Sequence, residues 1–241
     1  KIKAAYSKRV ERTTTFKMNS FAEREHSEVF EQGDNRLLPE FIDLVELGIT
    51  KEFNSSGSAY ATAYYRHVDN AINRVNKLAY ESNGAVIDSV LNRVYSNVGK
   101  SKAIGLELGT QFKATKRWSN FIGANIYNYG IDGAFVFRHR DGITRNYDVN
   151  SNNTVYSFNL NSTYSFWKNA TMQFTFNYLS ETNTAQGQDS RFYSPNLTFK
   201  KSFLDSRLTA TLQWQNIDMG LLNSNEQSIV TSRPGEFYTS T

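Results

Sequence analysis

Hydrophobic and polar residues alternate one by one along much of the chain. In residues 170–178, Ala, Met, Phe and Tyr occupy the even positions, and Thr, Gln and Asn the odd ones. Residues 208–215 repeat the pattern, with Leu, Ala and Trp against Thr and Gln. A period of two places successive side chains on opposite faces of an extended strand, whereas helical periodicity would mix the two sets. The pattern therefore predicts amphipathic β-strands.

Continued along the chain, this pattern predicts nine strands. They cover residues 1–10, 44–53, 58–70, 99–113, 118–131, 154–166, 169–180, 192–203 and 207–217. The strands at 58–70 and 118–131 alternate poorly, so their faces stay unassigned. Consecutive amphipathic strands without intervening helices predict an all-β, antiparallel, up-and-down sheet.

The chemistry of the two strand faces favours a transmembrane β-barrel, with a soluble β-sandwich as the alternative. The polar faces carry mainly uncharged Thr, Ser, Asn and Gln, and mean hydropathy is −0.55 although 14 % of the residues are aromatic. No stretch approaches the roughly 20 apolar residues of a transmembrane helix, so a spanning form must be a closed barrel. Several aromatics fall near predicted strand ends, as in interfacial girdles: Trp118, Tyr164, Phe166, Trp167, Tyr178 and Phe203.

The connections between the predicted strands alternate strictly in length. Short turns fall at 54–57, 114–117, 168–169 and 204–206. Long polar stretches fall at about 13–43, 72–98, 132–153, 181–191 and from 218 onward. Bacterial outer-membrane barrels have short periplasmic turns and long extracellular loops, a sorting that a sandwich does not need. The alternation therefore predicts a multi-pass barrel in the bacterial outer membrane.

The strand count and both chain ends predict that this is one portion of a barrel. Nine is odd, whereas single-chain bacterial barrels have even strand numbers. The first residues already alternate like a strand and show no signal peptide, and residues 233–241 read as a polar loop. We expect further strands to belong to the same barrel.

Three stretches together resemble the C-terminal barrel half of TonB-dependent outer-membrane receptors, especially those of the Bacteroidetes type. Residues 6–12 (YSKRVER) resemble a strand reading Y-S-R-R-I-x-R-P, with Thr13 in place of proline. Residues 33–40 (GDNRLLPE), followed by ELG at 46–48, are similar to G-N-P-x-L-x-P-E…E-L-G, with Asp-Asn standing where Asn-Pro is usual. Residues 64–66 (YYR) and 97–107 (NVGKSKAIGLE) are similar to Y-Y-R…N-x-G-x-x-x-x-x-G-x-E.

This resemblance implies a 22-stranded barrel with an N-terminal plug in a Gram-negative bacterium. Residues 1–241 would then be strands 13 to 21, with the plug and the final strand not included. The implied function is receptor-mediated active import of a ligand with TonB-derived energy, without catalysis or a cofactor. The implied partners are outer-membrane lipid and lipopolysaccharide, TonB through an N-terminal region, an unidentified small ligand, and in some systems a surface lipoprotein. The residues do not choose among a metal chelate, a glycan, a peptide or a cofactor as cargo.

Two alternative functions remain open from the sequence. One is a passive porin or structural outer-membrane barrel, and the other is a soluble carbohydrate-binding β-sandwich. The net charge of +4 is scattered and favours no nucleic-acid partner, and the absence of cysteine excludes disulfides and thiolate metal sites.

The matched motif residues are expected to act structurally. They are Gly33, Asn35, Pro39, Glu40, Glu46 and Gly48. Residues 33–35 can form a turn that tolerates positive φ, and Pro39 would stiffen the entry to the next strand. Glu46 is predicted to lie on the lumen face of that strand.

Candidate ligand-binding or metal-ligating chemistry is sparse. None of His26, His67 and His139 has a partner at metal-ligand spacing. His26 lies in an acidic loop that could bind a cation, but a solvated charged loop is the simpler interpretation. Arg138, His139 and Arg140 lie in a predicted extracellular loop and could contact an anionic ligand or lipopolysaccharide phosphates. A solvated hairpin tip ending in Asp-Gly is the simpler interpretation of that segment.

Overall fold

The computed structural model describes residues 1–26, 29–53, 56–83, 86–138, 144–222, 229–233 and 236–240. Within these ranges the chain is almost entirely extended, with one short helix, α1 (Thr15–Met18). No helix among them has the length and apolarity to cross a membrane. The strands are β1 (Ile2–Glu11), β2 (Glu23–His26), β3 (Val29–Gln32), β4 (Glu40–Phe53), β5 (Gly57–Asn83), β6 (Val86–Thr115), β7 (Trp118–Arg138), β8 (Thr144–Ser165), β9 (Ala170–Leu179), β10 (Thr182–Asn183), β11 (Gly187–Asp189), β12 (Phe192–Phe203), β13 (Leu208–Trp214), β14 (Ile229–Arg233) and β15 (Glu236–Ser240).

Nine of these strands form the antiparallel path β1-β4-β5-β6-β7-β8-β9-β12-β13 of an eleven-stranded sheet, to which β2 and β3 also belong. Each strand of this path corresponds to one of the nine predicted strands, so the all-β, antiparallel prediction is confirmed. Strands joined by a short turn pair directly, as an up-and-down sheet requires. The end strands β1 and β13 do not pair with each other within the described residues.

The sheet register assigns the faces that alternation left open. Tyr65 of β5 pairs with Val45 of β4 and Ile104 of β6, so it lies on their apolar face. In β7, Ile126 pairs with Leu106 and Tyr156 and therefore shares that face. We call this the outer face and the opposite, mainly polar one the inner face.

The outer face is apolar and open. Ile104 is 62 % exposed and Leu212 72 % exposed. A large contiguous apolar surface of this kind is unfavourable in water and suits a lipid environment. The outer face therefore carries the apolar surface of a transmembrane barrel wall.

The strands β5 to β8 run well past their predicted ends, which corrects the predicted connections. Residues 72–98 and 132–153 read as loops from their polarity, but the β5–β6 pair continues to Asn83 and Val86, and the β7–β8 pair to Arg138 and Thr144. Polarity misleads here because the backbone makes the ladder hydrogen bonds whatever side chains it carries. We call these extensions the long arms.

The long arms enclose an apolar core of their own. Its buried residues are Val75, Val98, Ile131, Phe135 and Val149, with Tyr129, Tyr147 and Ala185 packed against them. The β5–β6 arm begins at a break in register, where Asn70 adopts φ 57° and the pairing shifts between Asp69 and Ile72. A β-bulge of this kind bends a strand and increases its twist.

The other predicted long connections also contain paired strands. β2 pairs with β3, and β3 pairs in parallel with β6 from Val29–Leu91 to Gln32–Val94. The strands β10, β11, β14 and β15 form a separate four-stranded sheet. Strands this short carry little periodicity, so the sequence pattern did not predict them.

Aromatic side chains mark both ends of the outer face. At the end with the short turns, Phe166 lies near Tyr164, Trp167 and Phe199, with ring centroids 4.9, 6.3 and 6.5 Å away. Toward the other end, Tyr156 stacks on Tyr178 at 5.8 Å. This arrangement matches the predicted aromatic girdles. We call the two ends the short-turn end and the long-arm end.

Candidate functional site

Two tyrosines of β5 lie flat across glycines of β6 on the inner face. Tyr60 pairs with Gly109 and Tyr64 with Gly105, and a Cβ added at Gly105 would lie 2.7 Å from the Tyr64 ring. The Tyr60 hydroxyl donates to Glu107 Oε1 at 2.8 Å, and the Tyr64 hydroxyl to Asn125 Oδ1 at 3.2 Å. Gly105 of the 97–107 motif and Gly109 just beyond it thus make room for rings whose hydroxyls bind neighbouring polar residues.

Asn97 of β6 fastens the segment before β4 to the sheet. Its Oδ1 accepts from the Leu38 N–H at 2.8 Å, and its Nδ2 donates to Leu38 O at 3.1 Å and Asn70 O at 2.7 Å. One amide side chain therefore holds both polar groups of Leu38 and a carbonyl of the bulge.

Glu40 and Pro39 complete this cluster. The Glu40 carboxylate accepts from the Ile72 N–H at 2.8 Å, and the Asn70 Nδ2 donates to Pro39 O at 3.3 Å. The bulge leaves Asn70 out of the β5–β6 pairing and shifts the register at Ala71 and Ile72. The contacts of Asn70 and Glu40 satisfy polar groups that this irregularity releases. We call Leu38, Pro39, Glu40, Asn70 and Asn97 the motif clamp.

Gly33 is required for close packing rather than for turn conformation. Its N–H donates to Asn19 O at 2.6 Å, and an added Cβ would lie 2.6 Å from the Asn19 nitrogen. Neither Gly33, Asp34 nor Asn35 adopts positive φ, so the sequence-based explanation of this turn is wrong. The chain passes too close to the C-terminal end of α1 to accommodate a side chain at this position.

The turn after Gly33 is held by Asp34. Its carboxylate accepts from the Arg36 N–H at 2.9 Å and forms a two-pronged ion pair with the guanidinium at 3.1 Å. Hydrogen bonding to Asp34 and its negative charge raise the pKa of Arg36. Asn35 lies at the turn itself and lines an open polar cavity of about 330 Å³ with Gln32 and Asn92.

Glu46 and Gly48 lie on the inner face of β4. Glu46 pairs with Tyr64, and Gly48 with Thr62, whose Oγ1 would lie 3.2 Å from an added Cβ. The register thus places Glu46 on the polar face, as alternation predicts. Glu46 and Gly48 are not part of the motif clamp, which lies at the long-arm end.

The basic segment around residue 139 is only partly within the described chain. Arg138 is the last residue of β7, while His139 and Arg140 lie outside the described residues. Of the other histidines, His26 ends β2, and His67 Nε2 lies 3.3 Å from Asp69 Oδ1. Within the described ranges no group of acidic and histidine side chains is arranged to hold a metal ion.

Charged groups bind the strands at the long-arm end to one another. Tyr95 of β6 donates to Glu31 Oε1 of β3 at 2.7 Å, and Arg74 NH1 of β5 lies 3.9 Å from the same oxygen. Asp189 of β11 is partly buried, and this burial raises its pKa, while Arg74 acts in the opposite direction. The long arms and the short strands thus form one interlocked layer above the barrel wall.

Sequence reasoning identified the motif but missed how its parts meet. No sequence pattern distinguishes Asn70 or Tyr60, and Asn97 stands out only as one position of the 97–107 motif. An isolated glycine such as Gly105 or Gly109 inside a strand is a signal for close approach of another group. No feature of the local sequence around Asn70 predicts a bulge.

Comparison with known proteins gives the family. No curated protein matches the chain. A family model described as the outer membrane protein beta-barrel family matches residues 1–241, and the protein therefore belongs to this outer-membrane family of β-barrels.

Proposed function

We propose that this chain forms part of the barrel wall of a TonB-dependent receptor, which imports a ligand across the outer membrane with TonB-derived energy. The motif clamp carries the proposal. Two separate stretches that resemble the receptor family, 33–40 and 97–107, are hydrogen-bonded to each other through Leu38 and Asn97. A shared structural task explains why both stretches occur in one chain.

The shape of the molecule supports a transport role. The inner face is lined by hydroxyl, amide and carboxylate groups, which suit a water-filled or plug-filled lumen. The interlocked layer at the long-arm end offers a broad polar surface for first contact with a ligand. On this proposal the protein has no catalytic residue or cofactor, and its partners are outer-membrane lipid, lipopolysaccharide, TonB, an unidentified small ligand and, in some systems, a surface lipoprotein.

A passive barrel is the second candidate, because membership of an outer-membrane family suits it equally well. A soluble carbohydrate-binding sandwich is contradicted by that membership. The distinction between active and passive transport depends on whether the lumen is closed at rest.

The test combines two measurements on the full-length protein. We expect it to bind the purified periplasmic domain of TonB in a pull-down and to show no stable conductance in planar bilayers. Steady ohmic conductance without an energy source, together with no TonB binding, would overturn the proposal and establish a porin. Deleting the gene for TonB should abolish growth that depends on the imported ligand.

A further inference from the structure

Lys201 interrupts an aromatic stripe on the outer face of β12. Phe199, Lys201 and Phe203 follow one another on this face, where they pair with Met172, Ala170 and Leu208. Phe199 and Phe203 are both exposed to the surroundings of the barrel. A cation on the lipid-facing side of a strand must reach the polar headgroup layer.

The ammonium group of Lys201 is held between two exposed rings at the short-turn end. Its Nζ lies 5.1 Å from the centroid of the Trp167 ring and 5.9 Å from that of Phe203. Cation–π contacts at this range stabilise the charge without neutralising it. The group therefore remains able to bind an anion.

A second cation–ring contact and a further cation lie along the short-turn end. Lys51 Nζ lies 6.0 Å from the Phe53 ring, and Arg117 directly precedes the exposed Trp118. Arg117 NH1 donates to the main-chain oxygen of Phe166 at 3.4 Å, which ties it to the aromatic group there. We call these cations and rings the short-turn rim.

The charge of the short-turn rim is not compensated by nearby acids. Within the part of the chain that the structure describes, none of Lys51, Arg117 and Lys201 forms an ion pair. Glu52, beside Lys51, belongs to the opposite face and pairs with Lys1 at 3.3 Å. The rim thus combines apolar rings with unpaired positive charge.

We propose that the short-turn rim binds the phosphate headgroups of acidic glycerophospholipids in the adjoining membrane leaflet. The cations would contact the phosphates, while the rings lie among the first carbons of the acyl chains. Short turns mark the periplasmic side of outer-membrane barrels, so the leaflet in contact is the inner, phospholipid one. The inference goes beyond transport and holds for a receptor or a passive barrel alike.

The test uses the full-length protein in phosphatidylcholine vesicles that contain a trace of spin-labelled phosphatidylglycerol or phosphatidylcholine. The motionally restricted fraction of each lipid gives its relative affinity. We expect a preference for phosphatidylglycerol that falls with ionic strength. Lys201→Gln should lower the preference by about three- to fivefold, as expected for one cation near an anionic headgroup layer.

The adjacent residue provides a matched control. Lys200 lies on the inner face, paired with Thr171 and Thr211, so Lys200→Gln removes the same charge without touching the rim. It should leave the preference unchanged, and Lys201→Arg should retain it. No preference in the unmodified protein, or an equal loss in the Lys200 and Lys201 glutamine variants, would overturn the proposal.

Discussion

The turn between β12 and β13 contains three consecutive non-glycine residues with positive φ. Leu204, Asp205 and Ser206 have φ of 50°, 51° and 70°. This conformation is tolerated by aspartate but is costly for leucine, by about 1–2 kcal/mol. Leu204 is also 72 % exposed, so few protein contacts offset the strain.

We therefore expect Leu204→Gly to stabilise the barrel by up to about 1 kcal/mol. Leu204→Ala is the control, because it removes the side chain but retains the Cβ that causes the strain. The unfolding temperatures of the two variants in detergent, monitored by heat-dependent gel mobility, give the comparison. Equal stability of both variants would show that conformation at this position does not matter.

The tyrosine rings across glycines predict a second effect at single residues. An alanine at Gly109 would displace the Tyr60 ring and break its hydrogen bond to Glu107. Overpacking of this kind typically costs about 1–3 kcal/mol. Gly109→Ala should therefore lower the unfolding temperature.

Gly130 provides the comparison for this substitution. A Cβ there would meet only Ser151 O at 3.5 Å, an ordinary contact, so Gly130→Ala should be tolerated. In a Tyr60→Ala background the cost of Gly109→Ala should largely vanish, because the ring that it displaces is absent. An undiminished cost would show that the backbone, not the ring, opposes the methyl group.

At the scale of elements, the motif clamp joins the chain before β4 to the bulge in β5. Asn97→Ala removes three hydrogen bonds and leaves the Leu38 N–H without its acceptor. We expect a loss of about 2 kcal/mol, within the usual cost of leaving such groups unsatisfied. Amide exchange should accelerate at Leu38 and Ile72.

Two further variants sharpen this prediction. Asn97→Asp retains the acceptor but turns a carboxylate toward the carbonyls of Leu38 and Asn70, so it should open the clamp as well. Asn128→Ala makes the same truncation at an exposed asparagine of β7 and should leave exchange at Leu38 unchanged. Slow exchange at Leu38 in Asn97→Ala would mean that the clamp has no stabilising effect.

The strand β11 should be attached more firmly at low pH. Burial raises the pKa of Asp189 above its ordinary value near 3.8, so the folded state favours the protonated carboxyl. The stabilising effect is complete below the unfolded pKa and is lost as the pH rises through the folded pKa. The protection factors for amide exchange in residues 182–189 should therefore fall over that interval.

Asp189→Asn removes the titrating group and should make the protection factors in this segment, which are exchange rates corrected for the intrinsic rate at each pH, independent of pH over the same interval. It should also slow exchange at neutral pH, because a neutral amide is less costly to bury than a carboxylate. A fall in the protection factors with pH that persists in the variant would assign the effect to another group.

The extent to which sequence predicts these elements depends on their length and burial. Seven of the nine long strands could be placed with both faces assigned because apolar side chains on the outer face alternate with polar ones, as in 104–112. The faces of 58–70 and 118–131 needed the sheet register, because these segments alternate poorly. The ends of the long arms could not be predicted, because polar side chains such as Asn73 and Arg74 interrupt the alternation of apolar and polar positions. The motif clamp depends on contacts between Leu38 and Asn97, which no local pattern encodes.

At the scale of the whole molecule, the sheet has two chemically different ends. The short-turn end carries lysines beside aromatic rings, and the long-arm end carries the interlocked strands. If the short turns face the periplasm, residues at the two ends differ in their access to reagents outside the cell.

A cysteine-free chain makes this orientation measurable. In intact cells, a membrane-impermeant maleimide should label Glu23→Cys at the long-arm end and should not label Lys116→Cys in the turn between β6 and β7. Both should react once the outer membrane is permeabilised. Labelling of Lys116→Cys alone in intact cells would reverse the orientation.

The close contact between Gly99 and Gly133 marks where β7 leaves β6, whose edge is then taken by β3. On the short-turn side of this divergence, the thickness of the bilayer sets the strand length, and the register determines which side chains contact lipid. On the long-arm side, neither constraint applies to the strands. We expect the arms to tolerate insertions and deletions of paired residues, so that the outer surface can diversify rapidly while the wall that carries it stays the same.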